Sequence, residues 1–515
     1  MERVLRAGLA GLSAAAILAF IAVAVSRLPH PLPLDPAESV WLSETSRLLR
    51  GQPLMTEPTL GYIPLPAMPG FAVIAALPGA LVGPQLWVLR LIAMLSTLGT
   101  AWLVSRAVKA ETGSTLFAVV SVGLLFAAFA ASGGRLDAGR PEALAWFLAL
   151  AGLATLRFTT GIAGAVGAAA LLALAFFTAA HTGWFAIAAL IHVTLNDRPR
   201  ALAFIVAVAA CFGGGLFLLA RTLGPWFAFY AWDVPVHSIH PDRVKLATII
   251  GTGLMGTLTP LALPVIMAAA LPSALWRGRN GIWVWSVVGG ALAAIVGAIE
   301  PPAISPGLGP ALVTLVIAGP IALVRVVSHL AAWPGSERAG RSWVLHAILL
   351  LQFFPLAYGL RSQIPDPRAA QARITLVERL RAVPGPVLVP GYSEVARQAG
   401  KEESYHPLAL ELLLAAKGNA LLLRRPALAD SLFASLALAP TPPAVVVGSQ
   451  SEKKASERAL AKALDRSYQR VTEWRELADS PAPRFVYAAR METAAPLAAT
   501  TSVAGLASPD TMHAR

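Results

Sequence analysis

Eleven apolar runs dominate this sequence, at 9–25, 85–105, 114–132, 142–158, 162–179, 182–195, 201–222, 246–275, 281–299, 305–326 and 343–360. Each approaches the roughly 20 residues that a helix needs to cross a bilayer. In lipid every backbone polar group must be satisfied internally, so runs of this kind can only be helices. The chain is 56% hydrophobic and 13% charged, with a mean hydropathy of +0.64, where a soluble domain carries about 25% charge. A disordered chain, a fibrous repeat and an ordinary cytosolic enzyme are excluded.

Charge also marks the domain plan. Residues 361–515 hold 35 of the 69 Asp, Glu, Lys and Arg residues, which sets a soluble composition after a membrane composition. The sequence therefore predicts a transmembrane module over 1–361, with a long first outer loop at 27–84, then an extracytoplasmic α/β domain over 362–490 and a disordered tail over 491–515. The net charge of +13 comes from arginines at the ends of apolar runs, the pattern of topology rather than of a nucleic-acid surface. The single cysteine, Cys211, lies within an apolar run and excludes intrachain disulfides.

Loop charge orients the runs. Arg3 and Arg6 precede the first, which reads as a retained helix with a cytoplasmic N-terminus. Alternate turns then carry Arg106 and Lys109, Arg157, Arg198 and Arg200, Arg277 and Arg279, and Arg325, Arg338 and Arg341. The intervening turns mix signs and hold Asp35, Glu38, Asp137 and Glu142. Basic loops face the cytoplasm, so eleven spans place the C-terminal domain outside. The apolar stretch 64–83 contains Pro64, Pro66, Pro69 and Pro78 and reads as a helix skimming the membrane. In the C-terminal part, Pro386–Pro390, Ala444–Gly448 and Arg484–Ala488 read as strands, and Leu408–Lys417, Ala427–Leu436 and Glu452–Trp474 as helices.

The first outer loop is the best specified segment. Asp35 at an N-cap, Pro36 at the first helical position and Glu38 in the first turn start a helix, and Gly51 and Pro53 end it. Ala37, Val40, Trp41 and Leu48 recur at helical spacing, which predicts an amphipathic helix on the outer membrane surface with Trp41 at the interface. Two compatible readings attach to Asp35 and Glu38: they cap this helix, or they form a carboxylate pair that takes a proton from a hydroxyl or holds a divalent metal ion.

The order Asp35-Pro36-Ala37-Glu38, Leu48-Leu49-Arg50-Gly51-Gln52-Pro53, Tyr62-Ile63-Pro64-Leu65-Pro66, Leu89-Arg90-Leu91-Ile92 and Gly139-Arg140-Pro141-Glu142-Ala143-Leu144 resembles the GT-C superfamily of polyprenyl-phosphate-sugar-dependent glycosyltransferases. Within it, the bacterial protein-mannosyltransferase-like and aminoarabinose-transferase-like group is most similar. The resemblance runs over about residues 1–200 and continues to 360 as topology. It implies a multi-span helical membrane protein of the bacterial inner membrane, a polyprenyl-phosphate sugar donor, a lipid, polysaccharide or protein acceptor, and inversion at the anomeric carbon. It gives Asp35 the role of general base, with Glu38 beside it. The sequence departs from the family where Pro36 replaces a second acid, where Glu142 replaces an aspartate, and where Ala179 replaces a lysine near His181.

A glycosyl phosphate needs guanidinium or ammonium groups for the phosphate and a carboxylate for the acceptor hydroxyl. Arg90, Arg135, Arg140 and Arg243 are candidates for the phosphate, His181 for a phosphate contact, and Asp137 and Glu142 for sugar hydroxyls or for tuning the acidity of Asp35. The loop 224–245 adds Trp232, His237 and His240, as a cover for the donor headgroup or, through the two histidines, a metal site. No nucleotide-binding loop occurs. A lipid or sugar transporter, and a scaffold protein, are the competing classes; a transporter should show repeated halves and charges at mid-membrane.

Overall fold

The computed structural model describes residues 2–238, 259–269, 281–299, 305–331, 342–439, 441–448, 454–477 and 482–490. It divides into two compact units. The first comprises 1–30, 68–216 and 240–365; the second comprises 31–67, 217–239 and 366–515.

The first unit is helical. It contains α1 (Glu2–Arg27), α3 (Gly70–Val82), α4 (Leu86–Thr112), α5 (Thr115–Ala127), α6 (Pro141–Phe158), α7 (Gly161–Thr178) and α8 (Gly183–Asn196), and helices over Ile282–Ile299 and Gly309–Ala331. α2 (Pro36–Leu49) belongs to the second unit, and α9 covers Arg198–Leu223. Six helices among the described residues are long and apolar enough to cross a membrane: α1, α4, α6, α7, α9 and Gly309–His329. Other expected spans are shorter. The run at 114–132 gives a helix of 13 residues and that at 182–195 one of 14, about 20 Å at 1.5 Å per residue. Most of the expected span 246–275 lies outside the described residues.

Exposure supports a lipid setting. On α9, Leu202 is 73% exposed, Phe217 64% and Leu218 62%. An apolar helix that presents such residues all round is stable only in a non-aqueous medium. Inside the unit, packing relies on small residues. A Cβ at Gly123 of α5 would lie 2.6 Å from Ser13 of α1, and the Phe20 and Phe126 rings stack at 4.4 Å beside it. Close backbone approach replaces the hydrophobic drive that is missing between helices in lipid. The stretch 64–83 does form a helix, α3, from Gly70; it buries Phe71, Ala72 and Ala75 and leaves Leu77 and Leu81 exposed.

One end of this unit is tied by a buried acid that the sequence did not single out. Glu111, in the last turn of α4, accepts hydrogen bonds from Arg157 Nε at 2.5 Å, Trp283 Nε1 at 3.2 Å and an Arg325 guanidinium nitrogen at 3.0 Å. Four helices thus converge on one carboxylate. Arg157 and Arg325, expected on the same side, meet there.

The second unit carries a four-stranded sheet of order β1-β2-β4-β3, with β1 Val387–Leu388, β2 Ala444–Val447, β3 Tyr468–Glu473 and β4 Phe485–Ala489. β1 and β2 are parallel, with Val387 opposite Ala444; β4 is antiparallel to both of its neighbours, with Val446 opposite Val486. The helix expected over Glu452–Trp474 ends at Ser467 and continues as β3. Tyr468, Val471 and Thr472 favour strand, and pairing with β4 decides the matter. A second correction concerns α2. Trp41 is 3% exposed, and Ala37, Val40 and Leu42 are buried with it. The apolar face packs against helices Ser393–Gln398 and Pro407–Ala415 instead of facing lipid headgroups.

Candidate functional site

In the second unit, α2 begins as its sequence dictates. Asp35 adopts extended backbone angles (φ −138°, ψ 139°), and its carboxylate accepts a hydrogen bond from Ala37 N at 2.7 Å. Glu38 is fully buried and reaches back to accept from Leu34 N at 2.8 Å. The N-terminal N–H groups of a helix lack internal partners, and Asp35 satisfies one of them, while Glu38 ties down the chain just before the cap. Asp35 remains partly exposed, so the cap fixes in space a carboxylate that solvent still reaches. Further along, Glu44 is buried and accepts from Leu65 N at 3.1 Å. Burial pushes its carboxyl up to about 8, against the smaller opposing pull of the Leu65 hydrogen bond and Arg47.

In the first unit, the remaining candidates gather at the end opposite Glu111. Arg27, the last residue of α1, donates to Gln363 O at 2.7 Å, Gln363 Oε1 at 2.9 Å, Gly134 O at 3.2 Å and Asp137 Oδ1 at 3.1 Å. Arg90 is 1% exposed and donates to Arg27 O at 2.9 Å and to His30 O. A cation there meets carbonyls left open at the C-terminus of α1. That is the partner required of an arginine inside an apolar run.

Arg140 and Glu142 flank Pro141, the first residue of α6. Arg140 Nε lies 3.0 Å and 3.2 Å from the two Glu142 oxygens, and a terminal nitrogen lies 2.5 Å from Oε1. Both residues are 2% exposed. A forked pair of this kind holds both groups rigidly. Arg135 donates to Ser305 O and is near enough to Glu142 and His181 to act on them electrostatically.

His181, in the short turn between α7 and α8, accepts from Trp146 Nε1 at 3.1 Å through Nε2. An indole N–H only donates. The imidazole is therefore neutral at Nε2 and carries its proton on Nδ1. A Cβ at Gly309 would come within 2.0 Å of the Trp146 ring, so glycine there is what admits the indole.

Asp137, Arg140, Glu142, His181 and, through Arg27, Arg90 thus share one end of the first unit. Asp35, Glu38, Trp232 and His237 belong to the second. Trp232 is 71% exposed. Asp233 accepts from Ala420 N at 2.9 Å and lies 3.2 Å from His237 Nδ1. His240 and Arg243 lie outside the described residues. Among the described residues no group of three His, Cys, Asp or Glu side chains is arranged to hold a metal ion. The sequence reading missed Arg27 and Trp146, because a terminal arginine reads as topology and a tryptophan in an apolar run reads as core. A guanidinium-rich end with two carboxylates and a neutral imidazole can bind an anion and hydrogen-bond a polyhydroxylated group.

No protein-family model matches the sequence, and no curated protein matches it. Solved structures do. ArnT from Cupriavidus metallidurans in the apo state is 14% identical over 94% of this chain and 98% of that one, with a TM-score of 0.56. The same protein bound to undecaprenyl phosphate gives 0.46 at the same identity and coverage. Archaeal oligosaccharyltransferase AglB from Archaeoglobus fulgidus, in complex with an inhibitory peptide and a dolichol-phosphate, gives 0.48 at 12% identity over 94% of this chain and 75% of that one. The chain shares its fold with ArnT.

Proposed function

We propose that this chain is an inverting glycosyltransferase that moves a sugar from a polyprenyl-phosphate-linked donor to a hydroxyl acceptor at the outer face of a bacterial inner membrane. The observation that carries this reading is the collection of Arg27, Arg90, Arg135, Arg140, Asp137, Glu142 and His181 at one end of the helical unit, in a chain that shares the fold of ArnT and whose long apolar helices could cross a membrane. Charged groups are expensive in a membrane and mark function when they gather.

In this reading Asp35 takes the proton of the acceptor hydroxyl. The oxygen attacks the anomeric carbon from the face opposite the phosphate. The new carbon–oxygen bond forms as the bond to the phosphate oxygen breaks, and polyprenyl phosphate leaves with the electron pair, so the anomeric centre inverts. Arg135, Arg140 and the Nδ1–H of His181 meet the developing charge on the phosphate, and Arg90 holds the end of α1 beside them. Asp137 and Glu142 bind sugar hydroxyls. Glu38 steadies the helix turn that presents Asp35. Trp232 and His237 help to cover the donor headgroup. In this reading the N-terminus is cytoplasmic and the C-terminal domain lies outside, as the basic loops of the sequence lead one to expect.

The test uses purified protein in liposomes with a panel of polyprenyl-phosphate sugars and acceptors. Release of polyprenyl phosphate coupled to glycoside formation of opposite anomeric configuration supports the reading. Movement of the lipid donor between leaflets without any glycoside product assigns a transporter and sinks it.

A further inference from the structure

We propose that the second unit contains a binding site for an anionic saccharide, a sugar that carries a carboxylate or phosphate, at the C-terminal end of α2. A cavity of about 620 Å³ opens there, between the last turn of α2, the loop 52–62 and the segment 397–403. Its volume falls within the range of small-molecule sites.

The charge balance of the cavity favours an anion. Arg47, Arg50, Arg397 and Lys401 line it. Against them stand three acids, and each is limited. Glu403 is shared, 2.6 Å from Arg50 and 3.2 Å from Arg397. Glu57 is engaged by Arg425 at 2.7 Å. Glu402 is exposed to solvent. Glu44, on α2 beneath Arg47, is held mostly protonated at neutral pH by its burial. The Arg47 guanidinium hydrogen-bonds only the Pro53 carbonyl, at 3.1 and 3.3 Å, and stands 3.7 Å over the Tyr62 ring. Among the described residues it makes no ion pair, and Glu403 and Glu44 act on it only at longer range.

The same walls favour a sugar over a bare ion. Gln52 and Thr56 offer neutral donors and acceptors, and Glu402 offers carboxylate acceptors for hydroxyl groups. Tyr62 is fixed by donating its hydroxyl to Leu54 O at 2.9 Å, so the stacked Arg47 is held in place before a ligand arrives. Pre-organised guanidinium groups recognise planar oxyanions in two-point fashion, and a mixed polar rim serves the hydroxyls. The site belongs to the second unit alone and stands independently of the sugar-transfer reading.

The experiment is calorimetric titration of the full-length protein in detergent with glucuronate, glucose 6-phosphate, glucose and inorganic phosphate. Glucuronate or glucose 6-phosphate should bind, with affinity that falls as salt rises, while glucose binds at least about tenfold more weakly, since a charged hydrogen bond contributes roughly this much. Binding of glucuronate alone assigns a sugar acid; binding of glucose 6-phosphate alone assigns a sugar phosphate. Arg47→Gln should weaken either by about tenfold or more. Arg50→Gln, at a partly exposed side chain, should weaken it in a protein of unchanged melting temperature. Equal binding of glucose, equal binding of inorganic phosphate and glucose 6-phosphate, wild-type affinity in both variants, or no binding by the folded protein would each overturn the proposal. Transfer activity does not enter these readouts, so loss of the glycosyltransferase reading leaves them interpretable.

Discussion

The Asp35 carboxylate accepts a hydrogen bond from the Ala37 backbone N–H at 2.7 Å, so the group proposed as base is also the cap of its own helix. Substitution separates the two roles. Asparagine caps a helix about as well as aspartate, whereas alanine loses about 1 kcal/mol. Asp35→Asn is expected to keep the melting temperature and lower transfer by about 10²-fold or more, the usual contribution of general base catalysis. Asp35→Ala should lower both. Parallel assays of melting and product formation check this, and a fully active Asp35→Asn protein would leave the cap as the only role.

The Arg140–Glu142 pair leads to a second expectation. Removing one member of a buried ion pair leaves an uncompensated charge and costs about 3–5 kcal/mol. Arg140→Gln and Glu142→Gln should each lower stability strongly, and the double variant should recover much of it. If the pair also serves the donor, the recovered double variant stays impaired in turnover. Thermal unfolding in detergent and initial rates on the same samples distinguish packing from chemistry.

Glu111 is expected to matter for stability alone. Its carboxylate accepts from Arg157, Trp283 and Arg325, and Glu111→Gln leaves two guanidinium groups without their shared counter-charge. A large fall in melting temperature should follow, with an unchanged KM for the donor in the protein that remains folded.

Glu44 gives a pH dependence. Its carboxyl is raised by burial from 4.5 to about 8 in the folded chain. Between those values the folded state keeps a proton that the unfolded state has released. The stabilisation is therefore complete below about pH 4.5 and is lost as pH rises to about 8. Glu44→Gln should flatten that part of the stability profile relative to wild type and be the more stable protein at pH 8. Melting curves from pH 5 to 9 for both proteins provide the measurement; superimposable profiles would refute it.

Much of this molecule follows from local chemistry. The start of α2 is encoded by Asp35, Pro36 and Glu38, the start of α6 by Pro141, and the apolar lengths of α1, α4 and α9 by composition, because caps and hydropathy act within a few residues. Arg157 and Arg325 could be assigned to one end of the bundle from loop charge alone. The sequence could not tell where side chains would find partners far along the chain. Trp41 has the spacing of an interfacial residue, yet the helices after 390 cover it. Tyr468–Glu473 continues a helical pattern until β4 offers hydrogen bonds. Arg27 meets Asp137 across 110 positions, and Glu111 is met by two guanidinium groups and one indole N–H from three other helices. Those outcomes depend on which surfaces become adjacent once the chain is folded. Local propensities differ by less than the energy of burying one large side chain, so the tertiary structure decided them.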